Sequence, residues 1–387
     1  MSTSRPRNAA FAGLAPYAFV RLDEAKARAR ARGITVIDFT IGDPREETPR
    51  FVRERLIEAI PERSSYPSTI GTPALRQAIV DWVGRRFGVV LDPDREIVPA
   101  NGSKEAVYSI HQVVVDPASD RRIVWIPDPA YPVYDIAARF AGAEVRALPL
   151  EPPSFLPDLT RIDPALWSRT ALLWLNYPNN PTGASASRGF YAEALDLARR
   201  HGFWLASDEA YSEIYFGDPP PSALQEGLEN LLVFQTLSKR SAMTGYRSGF
   251  MAGDRELIEM LRRVRPSQGV ATPTFIQEAA TAAWCEESHV AVLRDIYRRK
   301  RVLLRGVLER AGLEIARSDA TFFLYFRAPA GETSASFAER MLEHGIAMAP
   351  GEMFGATGEG WVRMALVPTE EECAHAAALL ERHLGDR

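Results

Sequence analysis

Several features that would assign the chain to a common class of protein are scarce or missing from its 387 residues. It has only two cysteines, Cys285 and Cys373, and they lie far apart, which argues against a disulfide framework. No apolar run approaches the roughly 20 residues that a membrane-spanning helix needs. The net charge of -4 provides no basic surface for nucleic acid. We therefore expect a globular protein of the cytoplasm.

Patterns that bind metals and nucleotides are missing as well. The six histidines are scattered, with no HxH or HExxH spacing, so the sequence predicts no metal site. Neither GxGxxG nor GxxxxGK[ST] occurs, so dinucleotide binding and a P-loop lack support. His111 is expected to be structural, because single histidines usually are.

Lysine is rare, with four residues against 42 arginines. An amine that must lose its proton to act as a nucleophile cannot be replaced by a guanidinium, so few candidates exist. Lys26 and Lys300 lie in basic runs that are typical of solvated helix faces. Lys104 and Lys239 lie in turns that contain small residues. These two are therefore the candidates for chemistry.

Short apolar strands alternate with helices from about residue 46 to residue 290. The predicted strands cover residues 96–100, 122–126, 144–148, 171–175, 203–207, 231–236 and 249–252. This alternation predicts an α/β fold with a mostly parallel sheet covered by helices. A short strand within residues 34–41 comes before it, and a long helix followed by strand, helix, strand and helix comes after it. We expect an N-terminal arm with part of the small domain (1–45), a large domain (46–290) and a small α+β domain (291–387).

Polar motifs follow four of these strands, at the position where open α/β sheets bind their ligands. They are the turn 101–104, NNPTG (179–183), DEAY (208–211) and the stretch 236–249. Each has a structural explanation by itself, such as a helix cap or a tight turn. The turn 101–104 could also hold a phosphate at the start of a helix. Because all four follow strands of one sheet, we expect them to form one site.

NNPTG (179–183), DEAY (208–211) and SKRSAMTGYRSG (238–249) resemble, in this order, the motifs of class I/II (fold type I) aminotransferases. The resemblance extends from near residue 35 to the end of the chain. It implies the fold type I architecture, in which the large domain binds pyridoxal 5'-phosphate. It also implies an enzyme that moves an amino group between an amino acid and a 2-oxo acid such as 2-oxoglutarate. A homodimer with shared active sites is implied too.

The resemblance assigns a role to each residue of the reaction centre. Lys239 would hold the cofactor as a Schiff base and then carry the proton that moves during transfer. Asp208 would pair with the pyridinium nitrogen and keep the ring an electron sink. Asn180 and Tyr211 would donate hydrogen bonds to the 3'-oxygen of the ring, and Tyr131 would stack on its face.

The same resemblance implies the residues that hold the two anionic groups. The cofactor phosphate would contact small, hydroxyl and basic residues, namely Gly102, Ser103, Lys104, Thr236, Ser238 and Arg247. Tyr66 would reach the phosphate of the neighbouring subunit. Arg363 would clamp the α-carboxylate of the substrate, because a guanidinium can bind it with two parallel hydrogen bonds. Gly42 and Asn180 would lie beside that carboxylate.

Three longer stretches, 66–76, 237–241 and 363–367, resemble the bacterial N-succinyl-LL-diaminopimelate aminotransferases of lysine biosynthesis. A succinylated substrate ends in a second carboxylate and needs a distal cation, for which Arg240 is the candidate. The stretches 243–246 and 268–272 depart from that group. An aspartate- or aromatic-type aminotransferase of broad specificity, or a fold type I lyase with the same cofactor, therefore remains an alternative.

Overall fold

The computed structural model describes residues 18–384 of the chain, together with residues 8, 10 and 11. The described residues form thirteen α-helices: α1 (Ala18–Ala31), α2 (Arg50–Glu58), α3 (Pro73–Phe87), α4 (Ser103–Val114), α5 (Val133–Phe140), α6 (Pro164–Trp167), α7 (Arg188–His201), α8 (Leu237–Arg240), α9 (Arg255–Gln268), α10 (Thr274–Cys285), α11 (Ser288–Arg310), α12 (Ser334–Glu343) and α13 (Glu370–Leu384). None of these helices is long and apolar enough to span a bilayer. Within the predicted N-terminal arm, residues 1–7, 9 and 12–17 lie outside the described residues.

The same part of the chain forms twelve strands: β1 (Ile37–Asp38), β2 (Ile97–Ala100), β3 (Ile123–Asp128), β4 (Glu144–Pro149), β5 (Thr170–Asn176), β6 (Trp204–Asp208), β7 (Leu231–Thr236), β8 (Gly249–Gly253), β9 (Phe323–Arg327), β10 (Ile346–Ala347), β11 (Ala349–Pro350) and β12 (Trp361–Ala365). Seven of them build one sheet in the order β2-β8-β7-β6-β5-β3-β4. Its neighbours are parallel except at β8, which is antiparallel to both β2 and β7. The predicted α/β fold with a mostly parallel sheet is confirmed.

Strand β7 illustrates why the central strands carry apolar runs with no alternating polar residues. Leu231 and Val233 face a core that includes residues of α3 and α10. Leu232 and Phe234 point the other way, into a core that includes residues of α4 and α9. Since successive side chains of a strand alternate between faces and helices cover both, the first four positions of β7 are all apolar, and polar residues occur only at its carboxyl end.

The direction of the strands explains why the polar motifs meet. Strands β2, β3, β5, β6 and β7 all run the same way, so their carboxyl ends lie at one edge of the sheet. Strand β8 starts at that edge with Gly249. A Cβ at Gly249 would lie 2.4 Å from the carbonyl oxygen of Gln235, so only glycine allows β8 to approach β7 this closely.

The second part of the fold joins the two ends of the chain. Strands β11, β12 and β9 form an antiparallel sheet, and β1 pairs in parallel with β10. The predicted strand within residues 34–41 is thus only two residues long, and its partner lies about 300 residues later. Helices α11 and α13 pack on this part and share its apolar core. The exact domain boundaries stay a prediction.

Lys26 and Lys300 are buried, so the prediction that both lie on solvated helix faces is wrong. Each is only 3% exposed. The Nζ atom of Lys26 lies 2.7 Å from carboxylate oxygens of both Asp23 and Asp38, and that of Lys300 lies 2.6 Å from Glu46. A basic run does not reveal which of its members faces a neighbouring element. In both runs it is the lysine that turns inward.

The buried pair of Lys300 and Glu46 yields a prediction about stability. The Lys300→Met variant should lower the free energy of unfolding by about 3 kcal/mol, because it leaves a buried carboxylate without its cation. Urea unfolding followed by circular dichroism measures this. Adding Glu46→Gln should restore part of the loss, whereas Arg298→Ala, at an exposed pair, should change little. Equal midpoints for Lys300→Met and Arg298→Ala would contradict the prediction.

Candidate active site

A cavity of about 550 Å³ opens at the carboxyl edge of the seven-stranded sheet. Its walls are Val20, Asp23, Ile41, Gly42, Asp43, Ser103, Lys104, Tyr131, Asn180, Asp208, Ala210, Tyr211, Thr236, Ser238, Lys239, Thr244, Arg247, Phe323, Phe354 and Arg363. Every residue that the resemblance assigned to the cofactor or to the α-carboxylate lines this cavity except Gly102 and Tyr66.

The two exceptions have different positions. Gly102 supports the wall from behind, with a φ of +76°. A Cβ there would lie 2.5 Å from Nη2 of Arg247, so the close approach requires glycine. Tyr66 is fully exposed on the surface and does not line the cavity of its own chain.

Lys239 lies on the single turn of α8. Thr236 caps this turn, since its hydroxyl accepts a hydrogen bond from the backbone N–H of Ser238 at 3.1 Å. The Nζ atom of Lys239 donates to the carbonyl oxygen of Gly42. Burial above all, opposed by Asp43 and assisted by nearby Arg363, lowers the pKa of Lys239 to about 8. Lys239 can therefore present a neutral, nucleophilic amine near neutral pH.

Asp208 ends β6 with a buried carboxylate. Its Oδ2 accepts a hydrogen bond from the hydroxyl of Tyr134 at 2.7 Å, and its Oδ1 accepts one from the N–H of Ala210 at 3.2 Å. Burial raises the pKa of Asp208, and these two hydrogen bonds only partly oppose that shift. A cation on the cavity side would stabilise the charged carboxylate, and a protonated ring nitrogen is such a cation.

One end of the cavity has the character of an anion site. Helix α4 starts here at Ser103, and no side chain caps its N-terminus at Gly102. Arg247 lies beside this turn in a left-handed backbone conformation, with a φ of +53°. Its guanidinium donates to the carbonyl oxygens of Thr244 at 2.8 Å and Asn101 at 3.2 Å. Backbone N–H groups and a fixed guanidinium together suit a phosphate.

Arg363 is held at the other end, on β12. Its guanidinium lies between the rings of Phe323 and Phe354, 4.5 Å from each ring centre. It donates to Oδ1 of Asn180 at 2.8 Å and to the carbonyl oxygen of Thr40. This packing fixes the plane of the guanidinium at the cavity wall. A planar, fixed guanidinium suits a carboxylate ligand.

Two tyrosines complete the cavity between these ends. Tyr131 lies under the Nζ atom of Lys104, which is 5.6 Å from the ring centre. Tyr211 packs edge-on against Phe322 and Phe323, with ring centres 5.4 and 5.3 Å away. Together with an amine, a buried carboxylate and an anion site, these aromatic walls fit pyridoxal phosphate. Each charged or reactive part of that cofactor finds a matching group.

Residues 34–380 match the family described as aminotransferase class I and II, and the chain belongs to that family. Class I and II aminotransferases use pyridoxal 5'-phosphate. The chain is therefore a pyridoxal-phosphate-dependent aminotransferase, with an amino acid and a 2-oxo acid as substrates.

Several proteins with named activities are similar to this chain over most of its length. The LL-diaminopimelate aminotransferase of Aquifex aeolicus is 42% identical over 366 residues, which is 92% of this chain and 94% of that protein. A Thermus thermophilus structure described as a probable N-succinyldiaminopimelate aminotransferase superimposes with a TM-score of 0.88 at 33% identity, covering 94% of this chain and 99% of that one. A mutant aspartate aminotransferase of the same organism gives a TM-score of 0.91 at 29% identity, covering 98% of this chain and 100% of that one.

The hypothesis that Arg240 reads a distal carboxylate is wrong. Arg240 is only 2% exposed and does not line the cavity. Its guanidinium lies near the rings of Trp82 and Trp284, 5.6 and 5.1 Å from the ring centres, and forms an ion pair with Glu287. The residue that follows Lys239 thus points away from the cavity, because successive residues of a helical turn face different directions.

Several residues of the site were missed in the sequence. Tyr134, whose hydroxyl donates to Asp208, belongs to none of the motifs found in the sequence. The acids Asp23 and Asp43 were missed as well. Asp23 lies in the basic run of α1, and its position at the cavity depends on how α1 packs. Only Asp43, directly after Gly42, carried a local signal.

The lowered pKa of Lys239 yields a prediction about pH. Capture of pyridoxal phosphate by the apoenzyme should increase between pH 7 and 9 with a midpoint near 8, because the neutral amine becomes the major form there. Borohydride reduction after a short exposure, followed by mass spectrometry, measures the covalent product. The Lys239→Arg variant, which keeps the charge, should give no product. A midpoint above 10 would contradict the prediction.

Proposed function

We propose that the chain is an LL-diaminopimelate aminotransferase, which moves an amino group between LL-diaminopimelate and a 2-oxo acid such as 2-oxoglutarate in lysine biosynthesis. The observation that supports this most directly is the 42% identity to the Aquifex aeolicus enzyme of that name over nearly the full length of both chains. The cytoplasm remains the expected location.

The cavity supports a division of roles among its residues. Pyridoxal phosphate, when bound, supplies an electron sink for the charge that develops at the substrate Cα. Lys239 anchors the cofactor and carries the proton from Cα, and Arg363 holds the α-carboxylate in the orientation that this needs. Asp208 keeps the ring nitrogen protonated. Asn180 donates a hydrogen bond to the ring oxygen, as Tyr211 does.

The remaining predicted residues hold the cofactor in place. The phosphate would be held by the anion site formed by Gly102, Ser103, Lys104, Thr236, Ser238 and Arg247. Tyr131 would stack on the ring. Gly42 would place its backbone beside the substrate carboxylate, and its carbonyl oxygen accepts a hydrogen bond from Lys239.

Charge at the cavity wall distinguishes between two diaminopimelate substrates. The proposed roles account for the charged residues Lys104, Asp208, Lys239, Arg247 and Arg363. Two further acids, Asp23 and Asp43, lie on the wall, and Asp23 shares the single charge of Lys26 with Asp38. They would attract the distal ammonium group of free LL-diaminopimelate and repel the added carboxylate of a succinylated substrate. This argues for the free amine.

N-succinyl-LL-diaminopimelate is the second candidate, because of the likeness to the Thermus thermophilus protein. That substrate replaces the distal ammonium by a neutral amide and adds a negative charge. The cation suggested for it, Arg240, is buried away from the cavity. Arg240 is therefore not available to the second carboxylate of this candidate.

The test compares substrates on the holoenzyme. The value of kcat/KM with 2-oxoglutarate should be at least about tenfold higher for LL-diaminopimelate than for the succinylated form or for L-aspartate, since a charged hydrogen bond to the distal ammonium is worth about 1.5 kcal/mol or more. Formation of glutamate follows the reaction. A preference for the succinylated substrate would reject the proposal in favour of the second candidate.

Variants of α1 connect this preference to the acids. Asp23→Asn should raise KM for LL-diaminopimelate about threefold to tenfold and leave kcat/KM for L-aspartate unchanged, because aspartate has no distal ammonium. Glu24→Gln is the matched control, since Glu24 neighbours Asp23 on α1 but does not line the cavity. An equal loss for both substrates would show that Asp23 does not read the distal group.

We also propose that two chains form a homodimer in which Tyr66 contacts the cofactor phosphate of the partner. The exposure of Tyr66, Ile57 and Ile60 in one region of the chain supports this, since large apolar side chains are usually covered. The uncapped start of α4 and Arg247 lie at the phosphate end of the cavity, where a hydroxyl from another chain could join them.

Mixed dimers provide the test. The Tyr66→Phe dimer should bind pyridoxal phosphate about tenfold more weakly, because a hydrogen bond to a charged group is lost. In a hybrid with Lys239→Ala, the site that keeps Lys239 would receive the intact Tyr66 of the other chain. Its cofactor affinity should therefore equal that of the wild type. A hybrid that stays as weak as the Tyr66→Phe dimer would reject a role across the interface.

A further inference from the structure

Three buried aromatic residues form a connected row behind Asp208. The hydroxyl of Tyr134 donates to Oδ2 of Asp208 at 2.7 Å. The ring of Tyr134 stacks on that of Trp174, with centres 4.6 Å apart and planes 25° apart. Nε1 of Trp174 then donates to Nε2 of His111 at 3.0 Å. Tyr134, Trp174 and His111 have no exposed surface, so the row begins at the cavity and ends inside the protein.

The chemistry of the row makes Tyr134 a permanent hydrogen-bond donor. Burial raises the pKa of Tyr134 well above its ordinary value, and the charge of Asp208 raises it further. The phenol therefore keeps its proton at any working pH. A hydrogen bond from a neutral donor is stronger to an ionised carboxylate than to a protonated one. Tyr134 thus favours the charged form of Asp208, against the effect of burial.

The other end of the row restricts the position of Tyr134. Burial lowers the pKa of His111 to about 4, so the imidazole is neutral under ordinary conditions. Its Nε2 accepts from Trp174, which assigns the ring proton to Nδ1. A neutral histidine remains an acceptor for Trp174 across the working pH range, and this hydrogen bond fixes the indole on which Tyr134 stacks. His111 is structural, as the sequence suggests, but it supports the site indirectly.

We propose that Tyr134 is a positioning residue for amino transfer, which holds the carboxylate of Asp208 in the direction that pairing with the ring nitrogen would need and stabilises its charge. The inference rests on the proposed role of Asp208 and is independent of which substrate the enzyme uses. Asp208 otherwise receives only the N–H of Ala210 among its described hydrogen bonds. Tyr134 is therefore the side chain that fixes the direction of the carboxylate.

The Tyr134→Phe variant tests this, because it removes the hydroxyl and keeps the stacked ring. The dissociation constant of pyridoxal phosphate from the resting enzyme should rise about tenfold, and the rise should diminish at higher pH, where Asp208 ionises without help. In the loaded enzyme kcat should fall about tenfold, while KM for the amino acid should change less than twofold, since Arg363 is untouched. Unchanged cofactor affinity and unchanged kcat would overturn the proposal.

A matched control separates positioning from loss of a buried hydroxyl. Tyr177 is equally buried, and its hydroxyl donates to the carbonyl oxygen of Phe155 at 2.8 Å, away from the cavity. Tyr177→Phe should lower the melting temperature of the apoenzyme about as much as Tyr134→Phe does, with cofactor affinity unchanged. If both variants weaken the cofactor equally, the effect is structural and the proposal is wrong.

A double-mutant cycle with Asp208→Asn gives the sharpest result. If Tyr134 acts through the charge of Asp208, Tyr134→Phe should have little further effect on cofactor affinity once Asp208→Asn is present. Independent, multiplying losses would overturn the proposal. The cycle also tells the two ideas apart. An Asp208→Asn variant with normal affinity and kcat would reject the role of Asp208 itself, whereas a defect there with a silent Tyr134→Phe would reject only Tyr134.

Discussion

Loss of solvent around two opposite charges in one cavity is the constraint on which this site depends. Burial lowers the pKa of Lys239 and raises that of Asp208. The lowered pKa of Lys239 makes its amine nucleophilic near neutral pH. The raised pKa of Asp208 means that its carboxylate needs a nearby cation to stay charged. A cofactor with an aldehyde and a basic ring nitrogen satisfies both at once. The other residues of the cavity wall orient these two groups.

Two separate parts of the fold hold the residues of the cavity in place. The sheet edge carries Asp208 and Lys239 on β6 and after β7, where the parallel strands hold them in fixed register. Arg363 comes from a different sheet, on β12, and reaches the same cavity through contacts with Asn180 and Thr40. The two substrate-facing groups, amine and guanidinium, are therefore positioned by separate parts of the chain.

The preference for one substrate is less clear from the sequence than the cofactor is. Arg240, the basic residue closest to Lys239 in the sequence, is used inside the protein, where it pairs with Glu287. The acids that face the substrate space, Asp23 and Asp43, come from α1 and from the loop after β1. Their effect on substrate preference depends on the sum of the charges around the whole cavity. No single sequence motif contains that sum.

The sequence alone determined the cofactor class and predicted most of the residues that line the cavity, because chemistry restricts those positions to particular residues with fixed spacing at the ends of strands. NNPTG, DEAY and the stretch 238–249 are such positions. Only the tertiary structure decided where a side chain lies when its residue type occurs in several environments. Lys26 and Lys300 turned inward to pair with carboxylates, Arg240 turned away from the cavity, and Tyr134 was brought to Asp208 from 74 residues away. Long-range packing selects among these environments, and local pattern does not encode that selection.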